Sequence, residues 1–579
     1  MLFLLVVAGS TALTFREPGL PTRQANLLAE VFKARHPAEG ELYANDPVFA
    51  EGGRGAPWRL HLPAWRALLG AAERVVAPAD PVNAFRLLGA ALVLIYLLSM
   101  YVLLYRQTLS GLTSMLVALM SLAVYSSKPP YWGIGPVFTV TPAAVYLAVV
   151  PVLMLLFVSA RGAWALAGVF FLVGAAGNVH ISSAANLAIV LALALLVRER
   201  FRPRAWVAVG LGALAAAAGA GPALYYYYRT FQAAGLALPA AASADPAAAM
   251  ELSGLNLLYP GVAVFAVRRL AVALVPVVLA VIVPARPGRR RTTGRGQWLT
   301  LLAVIFVVAF GLHGLAQLAG RVLGTWPVAT ELFGAFGLVM VPVYVLFARA
   351  MVDLLRLARR NRRWLEAALV AVAVVYLGFS WNAHPLRRLA QELVAAASGK
   401  VPSRSERASA RELRAVGRWA RLRSRPESLF ITERAEVRAY AIRSISCSRL
   451  DVEYLYRLGP RRLAGWQRRL RRQRRLLNPD PGALADAEDI VRLADDWRGR
   501  LRVPGAAIYV LLRARSAPRP AGRLVAVDAP GGAWGRHWRL FQVLPPEPGS
   551  RAALTGPAGA ATMPVGRVSS SSSPASSGP

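Results

Sequence analysis

Long apolar runs separated by short gaps, with arginine crowded into alternate gaps, constrain this chain more than any other feature. About eleven runs are long and greasy enough to cross a bilayer: 1–15, 86–105, 108–125, 138–159, 163–178, 181–197, 205–224, 261–284, 298–319, 330–350 and 364–380. The dense clusters are Arg198, Arg200, Arg202 and Arg204, then Arg286 to Arg295, then Arg349 to Arg363. Gaps of the other parity hold acidic residues, aromatics, His, Gly and Pro. Basic loops stay in the cytoplasm, so the alternation predicts a multi-pass membrane protein, N-terminus inside and C-terminus outside. The 1–15 run is short for a span and offers small residues at 8–12, so it also reads as a signal remnant.

Composition agrees with this class. The 579 residues are 56% hydrophobic, too apolar for an ordinary soluble chain of that length. A net charge of +37 would ordinarily point to nucleic acid. Here much of the Arg lies beside spans, where anionic lipid head groups are the natural partner, so no nucleic-acid partner is expected. The single cysteine, Cys447, excludes an intramolecular disulfide and a multi-Cys zinc site. No P-loop stands in a strand-helix context, which argues against a nucleotide-driven pump.

Three regions follow from the pattern. Residues 1–383 form the membrane part, with a first outer loop at 16–85 that carries two short amphipathic helices, at 23–35 and 58–75, around an acidic, turn-rich centre. Residues 384–545 read as a small extracytoplasmic α/β domain. Its expected helices are 404–423, 451–476 and 484–498, and its expected strands are 428–432, 440–446, 506–512, 523–527 and 538–543. Residues 546–579, rich in Pro, Gly and Ser, are expected to be disordered. The Arg-rich run 461–475 is read as a solvated helix face or one resting on anionic lipid.

Several residues are chemical candidates. Asp46 lies in an acidic loop close to the membrane surface, where a carboxylate can act as a general base or hold a divalent metal against a phosphate. Glu41 and Glu51 flank it. Asn45-Asp46-Pro47 also reads simply as a turn. Asn178 and His180 sit at the junction of two spans, as possible phosphate or sugar ligands or as a polar pair closing a tight turn. Lys128, beside Tyr131 and Trp132, and Arg229, after Tyr225 to Tyr228, are candidates for a lipid phosphate or ordinary interfacial anchors.

Leu42-Tyr43-Ala44-Asn45-Asp46-Pro47 is similar to a first-loop aspartate motif. Gly177-Asn178-Val179-His180-Ile181-Ser182 resembles an "Asn-x-His-Pro" turn, with Ile181 where Pro is usual. Residues 415–438, with Trp419, Pro426, Leu429, Phe430, Ile431 and Thr432, resemble a post-membrane "W-A-x…P-x-x-x-L-F-L-T" stretch. Together with the layout, these segments resemble the GT-C class of integral membrane glycosyltransferases, and most closely an uncharacterised bacterial family of GT-C-like membrane proteins. The resemblance implies transfer of a sugar from a polyprenyl-phosphate-linked donor to an envelope acceptor at the outer face, with Asp46 as base or metal ligand. A lipid or saccharide flippase and a non-catalytic membrane assembly partner are the alternatives.

Overall fold

The computed structural model describes residues 29, 42–49, 62–76, 82–124, 134–135, 140–233, 293–315, 318, 328–357, 361–378, 380, 382, 405–448, 451, 460–479 and 483–546. The expected spans 1–15 and 261–284, the loop helix 23–35 save residue 29, and nearly all of the 546–579 tail lie outside them.

The described helices of the membrane part are α1 (Pro63–Val76), α2 (Val82–Thr108), α3 (Gly111–Met120), α4 (Pro142–Ser159), α5 (Ala163–Ala176) and α6 (Ile181–Arg198). After them come α7 (Pro203–Gly219), α8 (Gly221–Ala233), α9 (Thr293–Phe306), α10 (Met340–Leu357) and α11 (Arg362–Gly378). A π-helical turn, Val307–Leu312, extends α9, and a 3-10 helix, Val328–Val339, leads into α10. Five of the described helices are long and apolar enough to cross a membrane, and six are if α7 and α8, bent by 61°, form one broken span. The runs expected at 108–125 and 163–178 shorten to helices of 10 and 14 residues. At about 1.5 Å per residue neither matches a ~30 Å hydrocarbon core.

Exposed apolar side chains identify the solvent these helices are built for. Ile95, Leu98 and Val102 on α2, Phe171 and Leu172 on α5, Val207 and Leu214 on α7, and Val372, Val374 and Val375 on α11 all face outward. That much exposed aliphatic surface suits lipid rather than water. Trp164, Trp206 and Trp364 are exposed in the first turns of α5, α7 and α11, beside Arg161, Arg204 and Arg363. This is the composition of an interfacial belt.

Small residues let α5 and α7 approach closely. A Cβ on Gly174 would stand 2.0 Å from the Ala216 carbonyl oxygen, and one on Gly219 would stand 2.2 Å from that of Phe171. Where lipid and side chain are equally apolar, such close backbone packing is the main force joining helices.

The two ends of the bundle differ. At one end the α2 C-terminus meets α9 and α10, where Gln107 accepts from Arg349 Nη2 at 2.7 Å and from Trp298 Nε1 at 3.2 Å. Arg198 at the end of α6 belongs there too, because it lines one cavity with Gly296 and Gln297 in the first turn of α9. At the other end Tyr344 donates to the Met120 carbonyl at 3.1 Å, and Asn382 Nδ2 donates to the carbonyls of Leu122 and Gly135 at 2.5 and 3.3 Å.

The C-terminal part folds around α12 (Ser405–Arg423), β1 (Leu429–Ile431), α13 (Ala435–Ala441), β2 (Ser444–Ile445), α14 (Pro460–Leu477), α15 (Ala487–Arg498), β3 (Ile508–Arg513), β4 (Leu524–Ala526) and β5 (Trp538–Val543). The five strands run in the order β2-β1-β3-β5-β4. β1 is parallel to β2 and β3, while β5 is antiparallel to β3 and β4. The strand expected at 440–446 is replaced by α13 and the two-residue β2. Ala435–Ala441 is alanine-rich and helix-forming, and Ile442 at φ +53° turns the chain back sharply enough to start β2 only at Ser444.

Candidate functional site: a buried ionic seam

Residues 42–49 of the first loop are built into the C-terminal domain. Tyr43–Asp46 forms a turn, closed by the Asp46 amide donating to the Tyr43 carbonyl at 3.0 Å, and a second turn follows at Pro47–Phe49. Asp46 Oδ1 then accepts from the amides of Val48 at 3.0 Å and Phe49 at 3.1 Å. This is what an Asp does at a turn: its short carboxylate takes the amides that the bend leaves free. Tyr43 holds a left-handed φ of +61° in the same turn.

The turn is pinned to the domain on three sides. Tyr43 donates its hydroxyl to the Arg438 carbonyl at 3.0 Å. Asn45 Nδ2 donates to the Glu427 carbonyl at 2.6 Å, while its Oδ1 accepts from the amides of Arg502 at 2.8 Å and Val503 at 3.1 Å. Asp46 faces Arg438, a side chain carried by the short helix α13. Arg438 Nε donates to Asp46 Oδ2 at 2.7 Å, and Nη2 donates to Oδ1 at 3.1 Å. The Ile445 amide adds a donor to Oδ2 at 3.1 Å.

Arg438 also grips Asp451, through Nη1 to Oδ1 at 2.8 Å and Nη2 to Oδ2 at 3.4 Å, and lies 4.9 Å from the centre of the Phe49 ring. Asp46, Arg438 and Asp451 are all 0% exposed. Burial and the neighbouring Asp451 raise the Asp46 carboxyl above its ordinary range despite the opposing pull of Arg438. Burial works against the charge on Arg438, but the two carboxylates outweigh it and keep the guanidinium ionised.

The chemistry open to Asp46 follows from this packing. A general base needs an oxygen within reach of the proton it takes. Both Asp46 oxygens are filled by protein donors and closed off from solvent. A bidentate guanidinium on the same carboxylate also repels a cation, so the surroundings do not fit a divalent metal. Among the described residues no group of three His, Cys, Asp or Glu side chains is placed to hold a metal ion.

Asn178 and His180 come together at the α5–α6 junction, where they do local work. His180 caps α6, its Nδ1 accepting from the Ser183 amide at 3.3 Å and lying 2.8 Å from the Ser183 hydroxyl. Asn178 Nδ2 donates to the carbonyls of Ala175 at 2.9 Å and Gly219 at 3.0 Å, and its Oδ1 accepts from the Ala223 amide at 2.9 Å. Gly219 and Ala223 flank the bend between α7 and α8, so Asn178 takes up backbone groups that the break leaves without helical partners. Arg229 is exposed on α8. Lys128, Glu41 and Glu51 lie outside the described residues.

The decisive partners of Asp46 are Arg438 and Asp451, which the sequence alone did not mark. The available sign was an Arg embedded among Ala, Val and Tyr in 435–441, a segment otherwise patterned for burial. Two further groups brace the domain. Glu412 accepts from the amides of His537 at 2.8 Å and Trp538 at 3.1 Å and from His537 Nδ1 at 2.7 Å. Burial acts to raise its carboxyl, but these donors win and hold it below the usual range. The Cys447 thiol is buried and pushed well up by that burial, which makes it a packing residue rather than a nucleophile.

No protein-family model matches the chain, and no curated protein shows significant similarity to it.

Proposed function

We propose that the protein is a multi-pass, GT-C-like membrane protein of a bacterial inner membrane, and that it serves there as a non-catalytic assembly partner. In this proposal about eleven spans, with the N-terminus inside, carry a rigid outer head for other envelope components. The first loop and the C-terminal domain form that head together. One observation carries the reading: the carboxylate best placed for sugar transfer is consumed as a fully buried joint between loop and domain. Loop residues 42–49 touch the domain, so both lie in one compartment.

Transfer from a polyprenyl-phosphate-linked donor is the competing reading, drawn from the family resemblance. The test is reconstitution of the full chain in liposomes with polyprenyl-phosphate-linked sugars. Wild type is expected to yield no glycosylated product, and Asp46→Asn to lower the unfolding temperature of the head. A product made by wild type and lost in Asp46→Asn at unchanged unfolding temperature would overturn the assembly role.

A flippase activity has one observation in its favour. The π-helical turn at Val307–Leu312 packs on the 3-10 helix at Val328–Val339, with Phe310 against Phe336 at 5.7 Å, and irregular helices inside a bundle mark hinges and transport paths. Movement of a lipid-linked saccharide across the same liposomes without covalent product would favour it.

A further inference from the structure

At the bundle end marked by Arg198, the helices α4, α6 and α9 leave a cavity of about 290 Å³ between them. Phe157, Ala194 and Leu301 form its apolar wall, while Arg198, Gln297 and Thr300 supply the polar part of the lining. Arg198 stacks 5.6 Å from the centre of the Phe157 ring and donates through Nε to Glu199 at 3.3 Å. Among the described residues its two Nη groups make no hydrogen bond, and neither does the Gln297 amide or the Thr300 hydroxyl. A guanidinium with free donors, two neutral hydrogen-bonding side chains and an adjoining apolar wall match one ligand chemistry: a phosphate attached to a hydrocarbon chain. Arg200, Arg202, Arg204 and Arg295 nearby in sequence raise the local density of positive charge.

We propose that this cavity is a specific site for an anionic phospholipid. The phosphate sits on Arg198, Gln297 and Thr300, and the upper part of an acyl chain lies against Phe157, Ala194 and Leu301. The site binds lipid to the arginine-rich end, away from the head, and does not depend on what the head does.

The test is native mass spectrometry of the full-length protein released from detergent, titrated with phosphatidylglycerol and with phosphatidylcholine of the same chains. Wild type is expected to retain phosphatidylglycerol about tenfold more tightly, the size of effect that one charge-assisted contact supplies. Arg198→Gln should abolish that preference. Ala194→Phe, which fills the cavity and leaves every charge in place, should abolish retention of either lipid. Arg204→Gln, at a side chain 70% exposed and outside the cavity, should change neither. Equal losses in Arg198→Gln and Arg204→Gln would mean diffuse attraction and overturn the site. Full retention in Ala194→Phe would overturn it as well, even if Arg198→Gln failed to fold. Inorganic phosphate displacing the lipid completely at millimolar concentration would reassign the site to a free anion and overturn the lipid assignment.

Discussion

The seam at Asp46 and the turn at Asn178 each use a polar side chain where water is scarce, and they do so in opposite ways. The seam is ionic and long-range: Asp46 and Arg438 are 392 residues apart in sequence, and both are fully buried. The turn is neutral and serves a break in the helices beside it, with Asn178 reaching 41 and 45 residues to Gly219 and Ala223. A buried charge needs a charge in return, and that partner must come from wherever the fold supplies one. A neutral amide needs only backbone groups, which any broken helix nearby offers. Two residues of similar promise in sequence therefore hold together very different lengths of chain.

The largest effect should separate the two regions most sharply. Arg438→Leu takes the shared guanidinium away from Asp46 and Asp451 in a sealed site, and loss of one partner from a buried ion cluster costs about 3–5 kcal/mol. The head should lose its protease resistance and unfold early by near-ultraviolet circular dichroism, while the bundle keeps its helical signal. Asp46→Asn should cost less than Arg438→Leu, because it leaves a neutral Arg438–Asp451 pair and an amide oxygen for Val48 and Phe49. The reverse order would break the ionic account of the seam.

Asn178→Ala should come next. It strands the Gly219 carbonyl and the Ala223 amide at the bend, at about 1–3 kcal/mol for unsatisfied buried groups, and hydrogen exchange should accelerate there without touching the head. His180→Ala removes a helix cap and should cost about 1 kcal/mol in thermal unfolding of the detergent-solubilised chain. An equal loss of head stability in either variant would show that the two regions are not independent.

The smallest effect concerns pH and contrasts two carboxylates within the head. Glu412 is held below its ordinary range when folded, so its contribution is present above the unfolded value of about 4.3 and is lost as pH falls through the folded one. Asp46 has the opposite sign. Its raised folded value means that its contribution is full below the unfolded value and declines as pH rises through the folded one. Glu412→Gln should flatten the acid limb of the stability profile, and Asp46→Asn should flatten the limb on the alkaline side of it. Unfolding temperatures across pH 3–8 (roughly the window of perturbed carboxylates) would read both.

Much of the architecture was legible in the chain. Continuous apolar runs place α2, α4 and α6 within a few residues of their expected limits, because a span must bury its backbone polar groups in its own hydrogen bonds, whereas the run at 330–350 divides into a 3-10 helix and an α10 that starts only at Met340. The helix expected at 404–423 and the strand at 538–543 also stand. Of the strand expected at 440–446 only the two residues of β2 remain, since the apolar pattern before them does not distinguish a short buried helix from a strand. Asn45-Asp46-Pro47 was legible as a turn, and His180 as a junction residue.

By itself the sequence determined which segments suit lipid and where a turn must form, since hydropathy and turn chemistry act over a few neighbouring residues. It also set which gaps are basic. Only the tertiary structure decided what Asp46 meets. An ion pair across nearly four hundred residues leaves no local pattern, and it exists only once α13 and β2 have closed around the loop.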